Sequence, residues 1–223
     1  MIAWPKLPTP TVLPIGDAAL LVRFATVVDE QANAAAIALT TELDADPLPG
    51  VVELAPNLVS VLLRYDPLRT DPARVAGELR LRMIRLGGAE AAPSTDWVIP
   101  ATFGGEGGPD LQEVADSLGM TPSDFAAAHN ASDLKVLATG FAPGFVYLGL
   151  HSQHLYLPRR SSVRAKVSAG SLLFAAGQTA IAATEMPTGW HVIGWTEFSN
   201  FDARSDPPTR LGAGDRVRFE VVP

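Results

Sequence analysis

Residues 158–166, Pro-Arg-Arg-Ser-Ser-Val-Arg-Ala-Lys, form the only dense basic run in a chain whose formal net charge is -7. Read as a strand, the run puts Arg160, Arg164 and Lys166 on one face and Arg159 on the other. Such a face can hold a carboxylate, phosphate or carbamate, and Arg does so through two parallel hydrogen bonds. The same pattern equally suits a solvated strand edge guarded by charge. His151 and His154 have the spacing that sets two imidazoles on one helical face. Gly and Pro surround them and no third ligand stands out, so no metal site is expected. His129, near the end of a helix and followed by Asn130, has two readings. It is a helix-terminal His favoured by the dipole, or a proton-transfer group at a site mouth. Thr188-Gly189-Trp190-His191 is a turn carrying an indole and an imidazole, and the indole could equally be core.

Residues 140–148, GFAPGFVYL, crowd large rings onto a segment that Gly and Pro keep from being a good helix or strand. Other motifs are missing. There is no GxSxG, GxGxxG or Walker A sequence, and GGEGG at 104–108 lacks the Lys and Ser/Thr of a phosphate loop, so it reads as a flexible loop. The absence of cysteine excludes disulfides, zinc–thiolate sites and Cys nucleophiles. The acidic balance argues against nucleic acid and anionic membranes as partners. No stretch is apolar enough to span a bilayer and the N-terminus is no signal peptide, so a soluble cytoplasmic protein is expected.

These groups must be positioned by two regions. A strand at 18–24 precedes a helix opened by Asp29, with Ala32, Ala36, Leu39 and Leu43 on one face. Short strands follow at 51–54 and 58–65, the second with Val59, Val61, Leu63 and Tyr65 on one face. Asp71-Pro72 opens a second helix lined by Val75, Leu79, Met83 and Leu86, with Arg74, Glu78 and Arg82 on a solvated opposite face. Trp97–Pro100 then completes a β-α-β-β-α-β order, the pattern of a ferredoxin-like lobe. The composition shifts near Ala91-Ala92-Pro93, which predicts domains at 1–92 and 93–223. Past two short helices, opened at Pro109-Asp110 and Thr121-Pro122, come apolar runs at 134–138, 145–148, 171–175, 179–183, 191–195 and 217–222. Many short strands between turn signals predict a barrel or sandwich. In the last strand Val217, Phe219 and Val221 are expected to face inward.

The ordered motifs TGFAPGFVYLGL, LPRRSSVR, SAGSLLFAAGQTAI, PTGWHVIGWTE and AGDRVRF resemble the family of allophanate hydrolase subunit 1, also known as the B subunit of 5-oxoprolinase. The likeness extends into the N-terminal part through Gly16-Asp17, Pro49–Glu53 and Tyr65-Asp66-Pro67. It implies an α+β fold: an N-terminal ferredoxin-like α/β lobe followed by a C-terminal cyclophilin-like β-barrel domain. It also implies a non-autonomous subunit of an ATP-dependent hydrolase that opens the cyclic amide 5-oxoproline to glutamate. The implied partners are an allophanate hydrolase subunit 2-like protein (the C subunit of 5-oxoprolinase) and the A subunit of 5-oxoprolinase. ATP enters at the level of that complex, since this chain has no P-loop.

Related domains form the carboxyltransferase part of urea carboxylase, and the family includes a sporulation-kinase inhibitor. A regulatory protein that inhibits a sensor histidine kinase is therefore the alternative. Carried over by motif position, Phe145, Arg159, Arg164, Gln178 and Trp190 surround a small anionic or amide ligand, and His129 is a possible proton carrier. The chain departs from the family pattern at Val163, at Ala182-Ala183, at Thr188 and at Trp195, where the family has Pro, Tyr-Pro, Gly and Arg.

Overall fold

The computed structural model describes residues 9–86 and 94–222. They form two compact units that divide between residues 93 and 94.

The first unit contains β1 (Thr11–Ile15), β2 (Ala19–Arg23), α1 (Glu30–Ala45), β3 (Val51–Asn57), β4 (Ser60–Tyr65) and α2 (Pro72–Leu86). Its antiparallel sheet runs β1-β2-β4-β3, so β4 lies between the two strands that α1 connects. This is the split β-α-β of a ferredoxin-like lobe. One element differs from expectation. Trp97–Pro100 is not the lobe's last strand; it lies in the second unit, and β1 takes the edge beside β2. Pro14 within β1 is compatible with an edge strand, where one missing ladder donor is tolerated.

Asp29 caps α1 by accepting from the Ala32 amide at 2.9 Å, and Asp71 accepts from the Arg74 amide at 2.9 Å. The helices pack Leu39, Leu43, Val75 and Leu79 against Val22, Val61 and Leu63, all essentially inaccessible. Arg82 is not on a solvated face as expected. It is 7% exposed and bridges Glu42 at 3.1 Å and Asp46 at 2.6 Å, tying α2 to α1, while Leu81 and Ile84 face outward.

The second unit contains β5 (Asp96–Phe103), α3 (Leu111–Ser117), α4 (Pro122–Asn130), β6 (Leu134–Thr139), β7 (Val146–Gly149), β8 (Arg164–Val167), β9 (Ser171–Ala175), β10 (Gln178–Ile181), β11 (Met186–Thr188), β12 (His191–Trp195) and β13 (Arg216–Val221). Seven strands close a barrel in the order β10-β7-β6-β13-β5-β12-β9. Strands β8 and β11 pair separately as a two-stranded sheet. The parallel β5–β13 pair runs from Arg216 opposite Asp96 to Val221 opposite Ala101. Val221 is 57% exposed, not inward as expected, because β6 pairs only with Arg216 and Val217 and the packed interior ends before it.

Strands β9 and β10 explain their own sequence. Leu172, Phe174 and Ile181 fill the barrel core, whereas Leu173, Ala175 and Ala180 lie in a second core with Phe145, Val167, Met186, Trp190 and Val192. Every residue of both strands is buried, so neither shows the alternation of a half-exposed strand, and β10 carries buried Gln178 and Thr179.

The barrel closes around Asp215. Its carboxylate accepts from the Thr95 amide (2.9 Å), the Trp97 indole (3.1 Å) and the Gly212 amide (2.9 Å), which joins the starts of β5 and β13. Asp215→Ala leaves these donors unpaired and is expected to cost about 2–4 kcal/mol. Urea unfolding followed by Trp fluorescence checks this, and a loss under about 0.5 kcal/mol contradicts it.

Candidate functional site

The basic segment is organised by one buried acid. Asp110 is 5% exposed; its Oδ1 accepts from Arg164 at 2.6 Å and is ion-paired with Arg160 at 3.1 Å. Its Oδ2 accepts from the Val192 amide at 2.8 Å. Arg160 also lies 3.5 Å from the exposed Glu113. Two guanidinium groups thus share one buried carboxylate, which fixes both side chains, and Glu113 balances the second positive charge. Residues 158–163 are not a strand, since only Arg164–Val167 pairs, with β11. Arg159 takes the other direction. Its guanidinium sits 5.6 Å from the Trp190 ring centroid and has no ion pair among the described residues.

Arg159 and Trp190 belong to an aromatic wall on the outer surface of β7 and β10. Tyr147 lies 6.1 Å from Trp190 and 4.9 Å from Phe145, ring centre to ring centre. Burial raises the Tyr147 pKa, which the Arg159 charge partly offsets, so the phenol remains a hydrogen-bond donor at neutral pH. Phe145 itself is 3% exposed and braces Tyr147 from within the second core. Gln178 shares the Ala180 face of β10, beside Tyr147 and Gly149 of β7. It is 5% exposed, and its buried Nε2 has no hydrogen-bond partner. Turning the amide over merely exchanges an orphan donor for an orphan acceptor. An unpaired buried amide costs stability unless a water or ligand meets it, which makes Gln178 a candidate contact residue.

Gly144 shapes the loop GFAPGFVYL. It has φ +73, and a Cβ there would meet the Phe201 Cβ at 2.5 Å. Its carbonyl accepts from the Asn200 side chain at 3.0 Å, and the wholly buried Asn200 also accepts from the Arg210 and Leu211 amides. This close backbone approach turns the chain so that Phe145 and Tyr147 enter the wall, while Phe141 remains 79% exposed.

Arg164 does not join that wall. With Lys166, Ser168, Ser171, Thr102, Glu106 and Trp195 it lines a separate groove of about 660 Å³. The Trp195 indole N–H donates to the Ala169 carbonyl at 2.8 Å, which sets the ring's orientation. Gly107 and Gly108 pack against β12, where a Cβ would strike Trp195 and the Ile193 carbonyl. The glycine-rich loop is therefore a tight turn forming one side of the groove, not a flexible loop.

His129 is placed otherwise than at a site mouth. It is fully buried at the end of α4 among Phe103, Phe125, Phe174 and Phe219. Its Nδ1 meets the Asn130 Oδ1 at 2.9 Å, and its Nε2 meets the Thr179 hydroxyl at 2.7 Å. His151 contacts the same hydroxyl at 2.8 Å and Ser132 at 2.8 Å, while His154 points away to Ser152. One Thr hydroxyl thus serves two imidazoles, and with both rings neutral it can donate to one while accepting from the other. Desolvation lowers the His129 pKa to about 4, with partial opposition from Asn130. Desolvation and then the neighbouring His129 lower that of His151 to about 3.

Both imidazoles take up protons readily only when unfolded, near pH 6.5. The unfolded chain therefore binds more protons below that pH, and stability, full above about pH 6.5, falls as pH drops toward about 4 and 3. Urea midpoints are expected to start falling between about pH 6.5 and 5, before carboxylates titrate; a flat profile there contradicts the assignment. At pH 7, Thr179→Val is expected to cost about 1–3 kcal/mol.

Sequence reasoning misses Asp110, Ser171, Thr179, Asn200 and the groove role of Trp195. Asp110 reads in sequence only as a helix opener. No motif spacing reveals that it faces Arg164, 54 residues away.

The family profile of the carboxyltransferase domain, subdomains C and D, matches residues 10–211. The 5-oxoprolinase B subunit of Bacillus subtilis (strain 168) is 33% identical over 215 residues, covering 92% of this chain and 90% of the relative. The crystal structure of TTHA0988 superposes with a TM-score of 0.79 at 32% identity over 92% of this chain, which spans only 40% of that longer chain. The Kluyveromyces lactis urea carboxylase shares the fold, with a TM-score of 0.76 at 17% identity over 97% of this chain and 22% of its own. The chain belongs to the carboxyltransferase-domain family, subdomains C and D, of which the 5-oxoprolinase B subunit is a similar member.

Proposed function

We propose that this chain is a non-autonomous subunit of an ATP-dependent hydrolase that opens 5-oxoproline to glutamate. The observation that carries the reading is Gln178, a buried amide without a partner in a wall that also holds a free guanidinium and two aromatic rings. A small cyclic amide bearing a carboxylate matches this set. Arg159 accepts its charge, Trp190 and Tyr147 flank its ring, and the Gln178 Nε2 donates to its amide oxygen. A donor on that oxygen favours attack at the carbonyl carbon, because negative charge grows there as water adds. Opening adds the elements of water across the C–N bond, oxygen to carbon and a proton to nitrogen. The name of the Bacillus subtilis relative supports the substrate, and its designation as one subunit supports assembly with other chains.

ATP belongs on another member of that assembly. The Gly104–Gly108 turn is packed against β12 and lacks the Lys and Ser/Thr that would grip phosphates. The partners are a protein like the C subunit of 5-oxoprolinase and the A subunit of the same enzyme. Among the described residues no cluster of three or more His, Asp or Glu could hold a metal, and no helix is long and apolar enough to cross a membrane.

The test uses 5-oxoproline-dependent ATP hydrolysis by the reconstituted complex. Gln178→Leu removes an orphan polar group, so the chain is expected to be at least as stable while turnover falls about tenfold or more. Arg159→Ala is expected to raise KM more than it lowers kcat. Full turnover with both variants, or turnover unchanged when this chain is left out, contradicts the reading.

A further inference from the structure

We propose that the groove beside β8 is a second ligand site, separate from the Gln178 wall, and that it takes a small monocarboxylate with a flat apolar body. The proposal does not rest on the 5-oxoprolinase reading.

Three features of the groove, Arg164, Ser171 and Trp195, converge on that ligand. Arg164 is a third exposed yet immobilised, because buried Asp110 holds its other side. Asp110 bonds one Arg164 nitrogen, and Arg160, paired also with Glu113, lies outside the groove lining, so the charged donors offered to a ligand are the remaining ones of Arg164. A planar guanidinium held in one orientation suits a planar carboxylate. Ser171 is 4% exposed and lines the groove, and its hydroxyl bonds to none of the described residues. It is a nearly buried polar group with an open valence, and it can donate to the second carboxylate oxygen. Trp195, locked by its bond to the Ala169 carbonyl, offers a flat apolar surface beside these donors.

Lys166 also lines the groove. Its bond to Glu185 joins two well-exposed side chains and is exchangeable at little cost. Glu106 decides the charge of the ligand. A carboxylate in the lining, against one fixed guanidinium, favours a single negative charge over the two of a phosphate monoester. The groove volume of about 660 Å³ leaves room for a ring beyond the head group.

The experiment holds the ligand body constant and changes its head. The full chain, labelled with ¹⁵N, is titrated with benzoate, benzamide and phenyl phosphate, and the four Trp indole signals are followed. Benzoate is expected to shift the Trp195 signal saturably and leave Trp190 unmoved. Benzamide and phenyl phosphate are expected to bind about tenfold more weakly or worse, the loss of one charge-assisted hydrogen bond. Ser171→Ala, which leaves Asp110 and its partners intact, should weaken benzoate several-fold, and Arg164→Lys should weaken it further. No shift with benzoate, equal binding of benzamide, tighter binding of phenyl phosphate, or a response at Trp190 in place of Trp195 each overturns the proposal.

Discussion

The site geometry depends on the Asp110 carboxylate being buried between two guanidinium groups. A carboxylate at 5% exposure is tolerated only when fully hydrogen-bonded, and here two guanidinium groups and the Val192 amide complete its shell. The arrangement pins α3, the basic segment and β12 to one point. It also sorts the arginines. Arg160 and Arg164 are drawn toward Asp110, and Arg159, next in sequence but opposite in direction, lies over Trp190. The arginines thus face two separate surfaces. Such an ion cluster adds little net stability compared with apolar packing, so its retention is better explained by the positions it enforces.

A second constraint is that β9 and β10 are covered on both faces. The barrel core takes Leu172, Phe174 and Ile181, and the β8–β11 sheet with Trp190 covers Leu173, Ala175 and Ala180. Small residues at 175, 180 and 182 let the covering layer sit close. The two polar exceptions in β10 have different explanations. Thr179 points inward and is saturated by two imidazoles; Gln178 points outward and is unsaturated. Neighbouring polar residues of similar burial thus separate into a structural one and a functional candidate by hydrogen-bond accounting alone.

Much of this is legible in the sequence, and the rest has identifiable reasons for being hidden. Local signals work where the determining partner is close in sequence. Asp29, Asp71 and Thr121 cap the helices they precede, and Val61, Leu63 and Tyr65 share the buried face of β4. The ferredoxin-like lobe and the barrel follow from such patterns and from family motifs. Sequence signals fail where the partner is remote. Arg82 has exposed-face spacing within its own helix, yet Glu42 and Asp46 bury it, one on α1 and one just past its end. His129 has the signature of a helix-terminal cation, but burial inside the barrel lowers its pKa to about 4, and its ring bonds Thr179, 50 residues on. The motif residues Arg159 and Arg164 read as one site because they are five apart, and Asp110 separates them.

The claim that Asp110 fixes the basic segment through its charge is tested most directly by a double-mutant cycle on unfolding free energy, using Asp110→Asn, Arg164→Gln and the pair. The account predicts coupling above about 0.5 kcal/mol, because either single change already removes the charge pair that the other would lose. Effects that add within about 0.5 kcal/mol would show that the two side chains are merely adjacent, and that something else positions the site.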